Sequence, residues 1–291
     1  MRRVLLPLLI IIIALAAGIY VGYITAGRDK LPKGPVIKID FLSADYGNAA
    51  LVRTPEGKYL LIDPGSRRTA AALITYLQDA DVRSMDILIT NPTSNRGGSL
   101  DAIISRFNVK RVLRGEKTGS SGAWRRAIDY ARAHNVPETD IYGGDIIKLS
   151  HSIKLEVLSP PRSLLPHTRS ESDSNSLVVR LTFKGKRFLF TSEADEDTEN
   201  YLVKSGMDIE NDVLVIPRGG KSGSATLEFL SRVRPEQCIV SSVRRPSRAV
   251  LQRIDPKNTG AKLQRTDKNG TISIISDGRT IITNSERGGH D

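Results

Sequence analysis

Asp86-Ile-Leu-Ile-Thr90-Asn91-Pro92-Thr93-Ser94-Asn95-Arg96-Gly97-Gly98-Ser99-Leu100 is the stretch whose reading decides the fold. Ile87 to Ile89 form a short apolar run that ends in a polar loop containing two glycines. An apolar pattern of helical spacing starts at Leu100 and reaches Phe107. This order predicts a buried strand, a loop and a helix. Loops at the C-terminal ends of buried strands are where α/β proteins place ligands and chemistry. The loop from Asn91 to Ser99 is therefore a candidate site.

On the N-terminal side of this stretch, residues 36–42, 49–53 and 58–62 read as strands, with Thr54-Pro-Glu-Gly57 turning between the last two. Asp63-Pro-Gly65 stops the third strand, and residues 67–77 have helical spacing through Ala71, Leu73 and Leu77. On the C-terminal side, residues 109–113 predict a strand, 122–134 a helix, and 146–149 with 153–158 a hairpin. After a polar loop over 168–176, strands are predicted at 176–183 and 187–190, joined at Lys184-Gly-Lys186. A helix at 194–203 carries Asp195, Glu196 and Asp197 in its first turn, favourable at the positive end of the helix dipole. A buried strand at 213–216 ends in Pro217-Arg218-Gly219-Gly220. Helices at 226–233 and 247–254 flank a strand at 237–241, and residues 262–264, 270–275 and 280–283 finish as short strands. Strands followed by strand–helix alternation, twice over, predict an α/β (α+β) domain of two packed sheets with helices outside, over residues 36–285. Residues 286–291 are left as a C-terminal tail.

The chain has 291 residues, 39% hydrophobic and 26% charged, a balance that favours a folded core over disorder. Its single cysteine, Cys238, excludes an internal disulfide and a CxxC zinc site, and its apolar surroundings predict a buried thiol. The four histidines are too scattered to form a ligand cluster. Residues 4–26 carry no charge and are long enough to span a bilayer. Arg2 and Arg3 precede them, so a cytoplasmic N-terminus is expected, with the domain extracytoplasmic. Ala14-Leu-Ala16 would suit a signal peptidase, but the apolar run continues past it to Ile24. Residues 1–27 are thus expected to be an uncleaved, single-pass signal anchor, and 28–35 a linker with two prolines. A net charge of +11 and a pI near 9.8 favour anionic partners such as nucleic acid, anionic lipid or wall polymers, or else a solvated basic surface.

Several landmarks together resemble a known family. These are Ile39-Asp-Phe-Leu42 with Tyr46-Gly-Asn-Ala49, Leu61-Ile-Asp63-Pro-Gly65, Asn175-Ser-Leu-Val178, Arg187-Phe-Leu-Phe-Thr191, Val213-Leu-Val-Ile-Pro217 and Gln264-Arg-Thr-Asp267. In this order they resemble the metallo-β-lactamase domain of ComEC-type DNA-uptake (competence) proteins, over nearly the whole chain beyond the linker. No multi-span channel region accompanies them. The resemblance implies a four-layer αββα sandwich and a dinuclear zinc pocket. It also shows where this chain departs. The family's T-H-x-H-x-D-H loop, aligned on Thr90 and Pro92, places Asn91, Thr93, Asn95 and Arg96 at its four ligand positions. Glu193 stands at the metal-bridging Asp, Arg218 and Gly219 at the two histidines of the P-H-H-G loop, and Val243-Arg-Arg-Pro246 replaces G-H-P-H. Arginine stays protonated and cannot ligate zinc, so no cofactor is expected.

Two arrangements of this altered pocket are open. Arg96 and Arg218, with Lys221, Arg244, Arg245 and Arg248, would line an anion-binding cleft in which guanidinium groups supply the positive charge that zinc supplies in the family. Alternatively, Arg96 or Arg218 pairs with Asp63 and Glu193 and plugs the space. The leading functional expectation is a membrane-anchored pseudoenzyme that binds DNA or another anionic polymer at the cell envelope. One alternative is a phosphodiesterase- or nuclease-type hydrolase with a nonstandard metal set using Asp63, Glu193 and His151 or His167. Another is an envelope scaffold with protein partners and a plugged pocket. Ser222-Gly-Ser224 and Ser120-Ser121 read as loop serines. Gly219-Gly-Lys-Ser222 resembles the end of a phosphate loop but has Val215 where the upstream glycine belongs. Trp124 and the tyrosines do not alternate with basic residues as a base-stacking strip would.

Overall fold

Apolar residues at every second position along residues 37–41 make a strand whose one face is dry, and the same pattern recurs through both halves of the chain. A computed structural model describes residues 32, 34–43, 48–115, 122–166, 168, 170–242 and 244–287. The chain divides into two compact units, Met1–Gly34 and Pro35–Asp291. The expected anchor, most of the linker, Tyr46 and Gly47, Ser120 and Ser121, His167, Val243 and His290 lie outside the described residues. Among the described residues no helix is long and apolar enough to cross a membrane.

The first half runs β1 (Ile37–Phe41), β2 (Ala50–Arg53), β3 (Tyr59–Ile62), α1 (Ala70–Asp79), β4 (Ser84–Met85), β5 (Ile87–Thr90), α2 (Leu100–Ile104), β6 (Asn108–Val109), β7 (Val112–Arg114), α3 (Gly122–Ala133) and β8 (Glu138–Asp140). The second half runs β9 (Ile146–Lys148), β10 (Ile153–Ser159), α4 (Glu171–Ser174), β11 (Val178–Phe183), β12 (Lys186–Phe190), α5 (Glu196–Lys204), β13 (Val213–Val215), α6 (Leu227–Val233), β14 (Gln237–Val240) and α7 (Arg248–Arg253). It closes with α8 (Pro256–Thr259), β15 (Lys262–Arg265), α9 (Thr266–Asn269), β16 (Ile272–Ser276) and β17 (Ile281–Ser285).

One sheet has the order β17-β16-β1-β2-β3-β5-β7-β8 and the other β15-β14-β13-β12-β11-β10-β9. Ile37, Ile39, Phe41, Val52 and Leu60 of the first sheet meet Leu155, Leu181, Phe183 and Phe188 of the second in a fully apolar core between the sheets. The opposite face of the first sheet, through Leu51 and Leu61, packs on Leu73 and Leu77 of α1, Ile103 of α2 and Trp124 of α3. The outer face of the second sheet, through Leu189, Leu214 and Cys238, packs on Leu202 of α5, Phe229 of α6 and Val250 of α7. Three apolar layers between four structural layers give the helix–sheet–sheet–helix sandwich. Strands such as β2, β3, β11 and β12 split their apolar residues between two cores because successive side chains point to opposite faces.

Several expected boundaries differ. Residues 109–113 are two short strands: β6 pairs with β4, while β7 pairs with β5 and β8. The amide of Lys110 donates to Met85 O, which turns the chain out of one pairing before the other begins. The helix expected from residue 67 begins at Ala70, because Thr69 donates both its amide and its hydroxyl to Ser66 O and closes a turn there. Arg67 and Arg68 consequently stand in a loop. The polar loop at 168–176 contains α4, closed by a Ser174 amide bond to Ser170 O. The C-terminal strands separate: β15 joins the second sheet parallel to β14, and β16 with β17 adds to the first sheet beside β1.

Candidate functional site

Parallel neighbours β3 and β5 in one sheet, and β12 to β14 in the other, all end at the same edge of the sandwich. Asp63 follows β3, Asn91 follows β5, Ser192 and Glu193 follow β12, and Arg218 follows β13. Asp63 has φ 51° and Ser192 φ 45°, left-handed conformations that turn the chain sharply at the strand end and aim both side chains inward. The two loops of the first sheet clasp one another: Gly65 N donates to Arg96 O at 2.8 Å and the Ser99 hydroxyl to Pro64 O at 2.8 Å. Gly97 presses on the buried Trp124, leaving no room for a Cβ, which would sit 2.5 Å from the indole. That contact seats the Asn91–Arg96 loop on α3.

Arg96 fills the centre. Its Nε donates to Glu193 Oε1 at 2.7 Å, Nη1 to Asp63 Oδ2 at 3.4 Å and Nη2 to Ser192 O at 3.1 Å. All three side chains are buried. Ser192 Oγ donates to Asp63 Oδ2 at 2.6 Å and accepts from Asn91 Nδ2 at 2.5 Å. Asn91 Nδ2 also donates to Ser176 Oγ at 2.8 Å, and Asn91 Oδ1 accepts from the amide of Leu177 at 2.9 Å. The Leu177 amide sets the orientation of the Asn91 amide group, so its nitrogen faces the pocket as a donor. Ser176 Oγ in turn accepts from Glu193 N at 3.0 Å. The result is a closed polar network tying both sheets together. The gap left beside Arg96 is about 20 Å³, close to the least that holds one water.

The two carboxylates respond to Arg96 in opposite directions. Burial would raise the Glu193 carboxyl, but Arg96 and then Lys221 outweigh it and hold the group below its ordinary 4.5. Burial pushes the Asp63 carboxyl up, against Arg96, Ser192 and the Asn91 amide. The difference follows the contacts, since Arg96 is closer to Glu193 than to Asp63.

Above this floor opens a cleft of about 630 Å³. Among the described residues its cations are Arg67, Arg68, Arg218, Lys221 and Arg244, and its one lining carboxylate is Glu193. Arg67 pairs with Asp101 at 2.9 Å, Arg218 with Asp173 at 3.2 Å and Lys221 with Glu193 at 3.6 Å. Arg68 and Arg244 are exposed and have no carboxylate partner among the described residues. Arg218 Nε is buried without a hydrogen-bond partner. Arg218 and Gly219 both have positive φ, and a Cβ on Gly219 would lie 2.8 Å from the Ser242 side chain. Asn95 and Ala123 complete part of the wall, so the N-terminal turn of α3 adds its positive end to the cleft.

The expected residues therefore fall into three groups. Asp63, Asn91, Arg96 and Glu193 meet in the buried floor, with Thr93 half-buried beside them. Asn95, Arg218, Lys221 and Arg244 line the cleft, where Gly219 shapes the backbone. Arg245 and Arg248 are exposed outside it. Residues that sequence reasoning missed are Ser176, Ser192, Arg67 and Arg68. Ser176 sits inside the motif that starts at Asn175 and Ser192 directly follows the one that ends at Thr191, but nothing local marks a serine as a bridge between loops. Arg67 and Arg68 directly follow Asp63-Pro-Gly65, and were absorbed into a helix that starts three residues later.

This arrangement can be set beside known proteins. No protein-family model matches the chain. It is 24% identical over 258 residues to ComE operon protein 3 of Bacillus subtilis, covering 81% of this chain and 32% of that protein. It is 26% identical over 263 residues to competence protein ComA of Neisseria gonorrhoeae, covering 87% of this chain and 34% of that protein. The chain thus spans about a third of the length of these curated relatives. The Zn-bound PqqB structure from Methylobacterium extorquens superposes with a TM-score of 0.54 at 11% identity, covering 83% of this chain and 99% of that one. The fold is that of the metallo-β-lactamases, and the sequence is similar to the competence proteins of the ComEC type.

The residues at the position where the resemblance implies a metal do not fit zinc. Asn91 presents a donor where a metal needs a lone pair, and the Arg96 guanidinium lies between the two carboxylates. Among the described residues no group of three or more His, Cys, Asp and Glu side chains could hold a metal ion. His151, one of the two histidines a nonstandard metal set would need, is exposed and lines a cavity bordered by Lys58 and Lys184, away from Asp63 and Glu193.

Proposed function

We propose that this domain is a non-catalytic binder of a phosphate polymer, with DNA as the first candidate, held at the cell envelope by an N-terminal anchor with the domain on the extracytoplasmic side. The observation that carries the reading is the 630 Å³ cleft, lined among the described residues by five cations and one carboxylate, above a floor that Arg96 closes. Closing the floor removes the space for a hydrolytic metal centre, while the cleft keeps its affinity for anions. Guanidinium groups suit phosphate oxygens because their paired donors match two acceptors at once. The competence relatives support DNA as the anion. Residues 4–26 support the anchor.

Fluorescence anisotropy with a labelled oligonucleotide tests the reading. Engagement of three to five phosphates by the cleft gives a slope of log affinity against log salt of roughly −2 to −4. Undetectable binding at low ionic strength, or binding indifferent to salt, rejects it. A scaffold role is favoured by a different observation, the network of Asn91, Ser176, Ser192 and Arg96 that locks the two sheets. Under that reading DNA binding is absent and capture of envelope proteins from solubilised membranes depends on the intact fold.

A further inference from the structure

A second basic surface lies at the other end of the sandwich. Two adjoining cavities of about 280 and 960 Å³ share Lys58, Lys148 and Leu149. Lys110 and Arg111 line the first, and Lys154 and Lys184 the second. Against these six cations stand Asp86, paired with Lys110 at 3.0 Å, and Glu56. Lys154 pairs with Glu156 at 3.0 Å, and Lys184 Nζ donates to Asp277 O at 3.0 Å. Lys58, Lys148 and Arg111 have no carboxylate partner among the described residues.

Strand direction places this face opposite the cleft. Lys58 immediately precedes β3 and Asp63 follows it, so five residues at about 3.3 Å each separate the two ends by roughly 17 Å. Asp86 and Asn91 bracket β5 in the same sense. The register also places the start of the domain there: Lys38 of β1 pairs with Arg53 of β2, and Arg53 with Tyr59 of β3. The first strand of the domain therefore starts at its lysine-rich end. An anchor at residues 4–26, as proposed above, leaves ten residues, 27–36, before β1, and the lysines select the end of the domain that faces the bilayer.

We propose that this lysine-rich end is a docking surface for an anionic phospholipid bilayer, which turns the arginine-lined cleft away from the membrane. Two features favour lipid over nucleic acid. Five of the six cations are lysines, flexible point charges suited to headgroups, whereas the cleft is mostly arginine. Ile146, 58% exposed, shares the outward face of β9 with Lys148 and sets an apolar side chain beside the charges. The proposal rests in part on the anchor reading above.

Hydrogen exchange of the full chain in nanodiscs of phosphatidylglycerol or of phosphatidylcholine provides the test. Slower exchange at residues 54–60, 108–112 and 146–154 in phosphatidylglycerol is expected, with residues 66–69 and 218–222 unaffected. About 0.5 M salt should abolish the difference. Each lysine near an anionic leaflet raises affinity about fivefold, so the Lys58→Glu, Lys148→Glu, Lys184→Glu triple variant should bind phosphatidylglycerol vesicles at least about 100-fold more weakly. An unchanged melting temperature shows that this variant folds. Equal exchange in the two lipids overturns the proposal, as does protection of this face by an oligonucleotide in phosphatidylcholine discs. A chain that does not stay with the discs through gel filtration refutes the anchor instead. Its affinity for phosphatidylglycerol over phosphatidylcholine vesicles then decides the lysine face alone.

Discussion

Arg96 stands between two buried carboxylates, and its removal leaves Asp63 without a counter-charge and Glu193 with only the longer Lys221 contact. Arg96→Met is expected to cost about 3–5 kcal/mol in urea unfolding, because an uncompensated buried charge is worse than an unformed pair. The pH dependence should change sign as well. Glu193 is held below its ordinary 4.5, so its stabilisation is complete above that value and is lost as pH falls through the lower folded value. Asp63 is pushed above its ordinary 3.8, so its ionisation opposes folding as pH rises past that value. Without Arg96 both carboxyls rise, so the contribution of Glu193 reverses sign and the variant should gain more stability than the parent as pH falls. A variant curve parallel to the parent's would contradict this account. Because the donors do not fit zinc, neither a chelator nor added zinc should move the melting temperature in scanning calorimetry. At this scale the composition of the floor was legible: Asp63, Asn91, Arg96 and Glu193 were each marked by position in a motif. The bonds of Ser176 and Ser192 were not, since a serine's partner 17 to 129 residues away leaves no local trace.

Among the elements, the loop after β13 shows how backbone conformation controls the cleft. Arg218 and Gly219 adopt consecutive left-handed conformations, and Arg218 N donates to Ser192 O at 2.8 Å. Arg218 thereby projects between the two sheets' loops. Gly219→Ala places a Cβ against Ser242 and should destabilise by about 1–3 kcal/mol, with weakened anion binding because Arg218 is displaced. Thermal unfolding and phosphate titration by NMR check the two halves of that expectation. The strands after which this loop and its neighbours occur were readable from apolar runs. Their exact ends were not, as in residues 109–113, where one apolar run serves two different pairings. Helix α1 begins three residues late for a similar reason: a Thr69–Ser66 turn competes with helix at its start, leaving Arg67 and Arg68 for the cleft.

For the whole molecule, the charges fall into two surfaces at opposite ends. Charge reversal at the cleft, Arg68→Glu with Arg244→Glu, should leave the melting temperature unchanged, since both are exposed and unpaired with carboxylates among the described residues. The same variant should flatten the salt dependence of oligonucleotide binding by roughly 1 to 2 in slope, about 0.7–0.9 for each phosphate contact removed. An unchanged slope would place DNA elsewhere. The net charge of +11 was visible from composition, but composition carries no information about its division into an arginine end and a lysine end. Alternation, turn residues and ordered motifs by themselves determined the strands, the ComEC-type resemblance and the loss of imidazole ligands, because these properties are local or depend only on order along the chain. Tertiary structure alone decided that β16 and β17 complete the first sheet, that Arg96 closes the floor while Arg67 and Arg68 join the cleft, and at which end of the domain the first strand starts. Those outcomes depend on distances between residues remote in sequence, and only packing of the two sheets sets such distances.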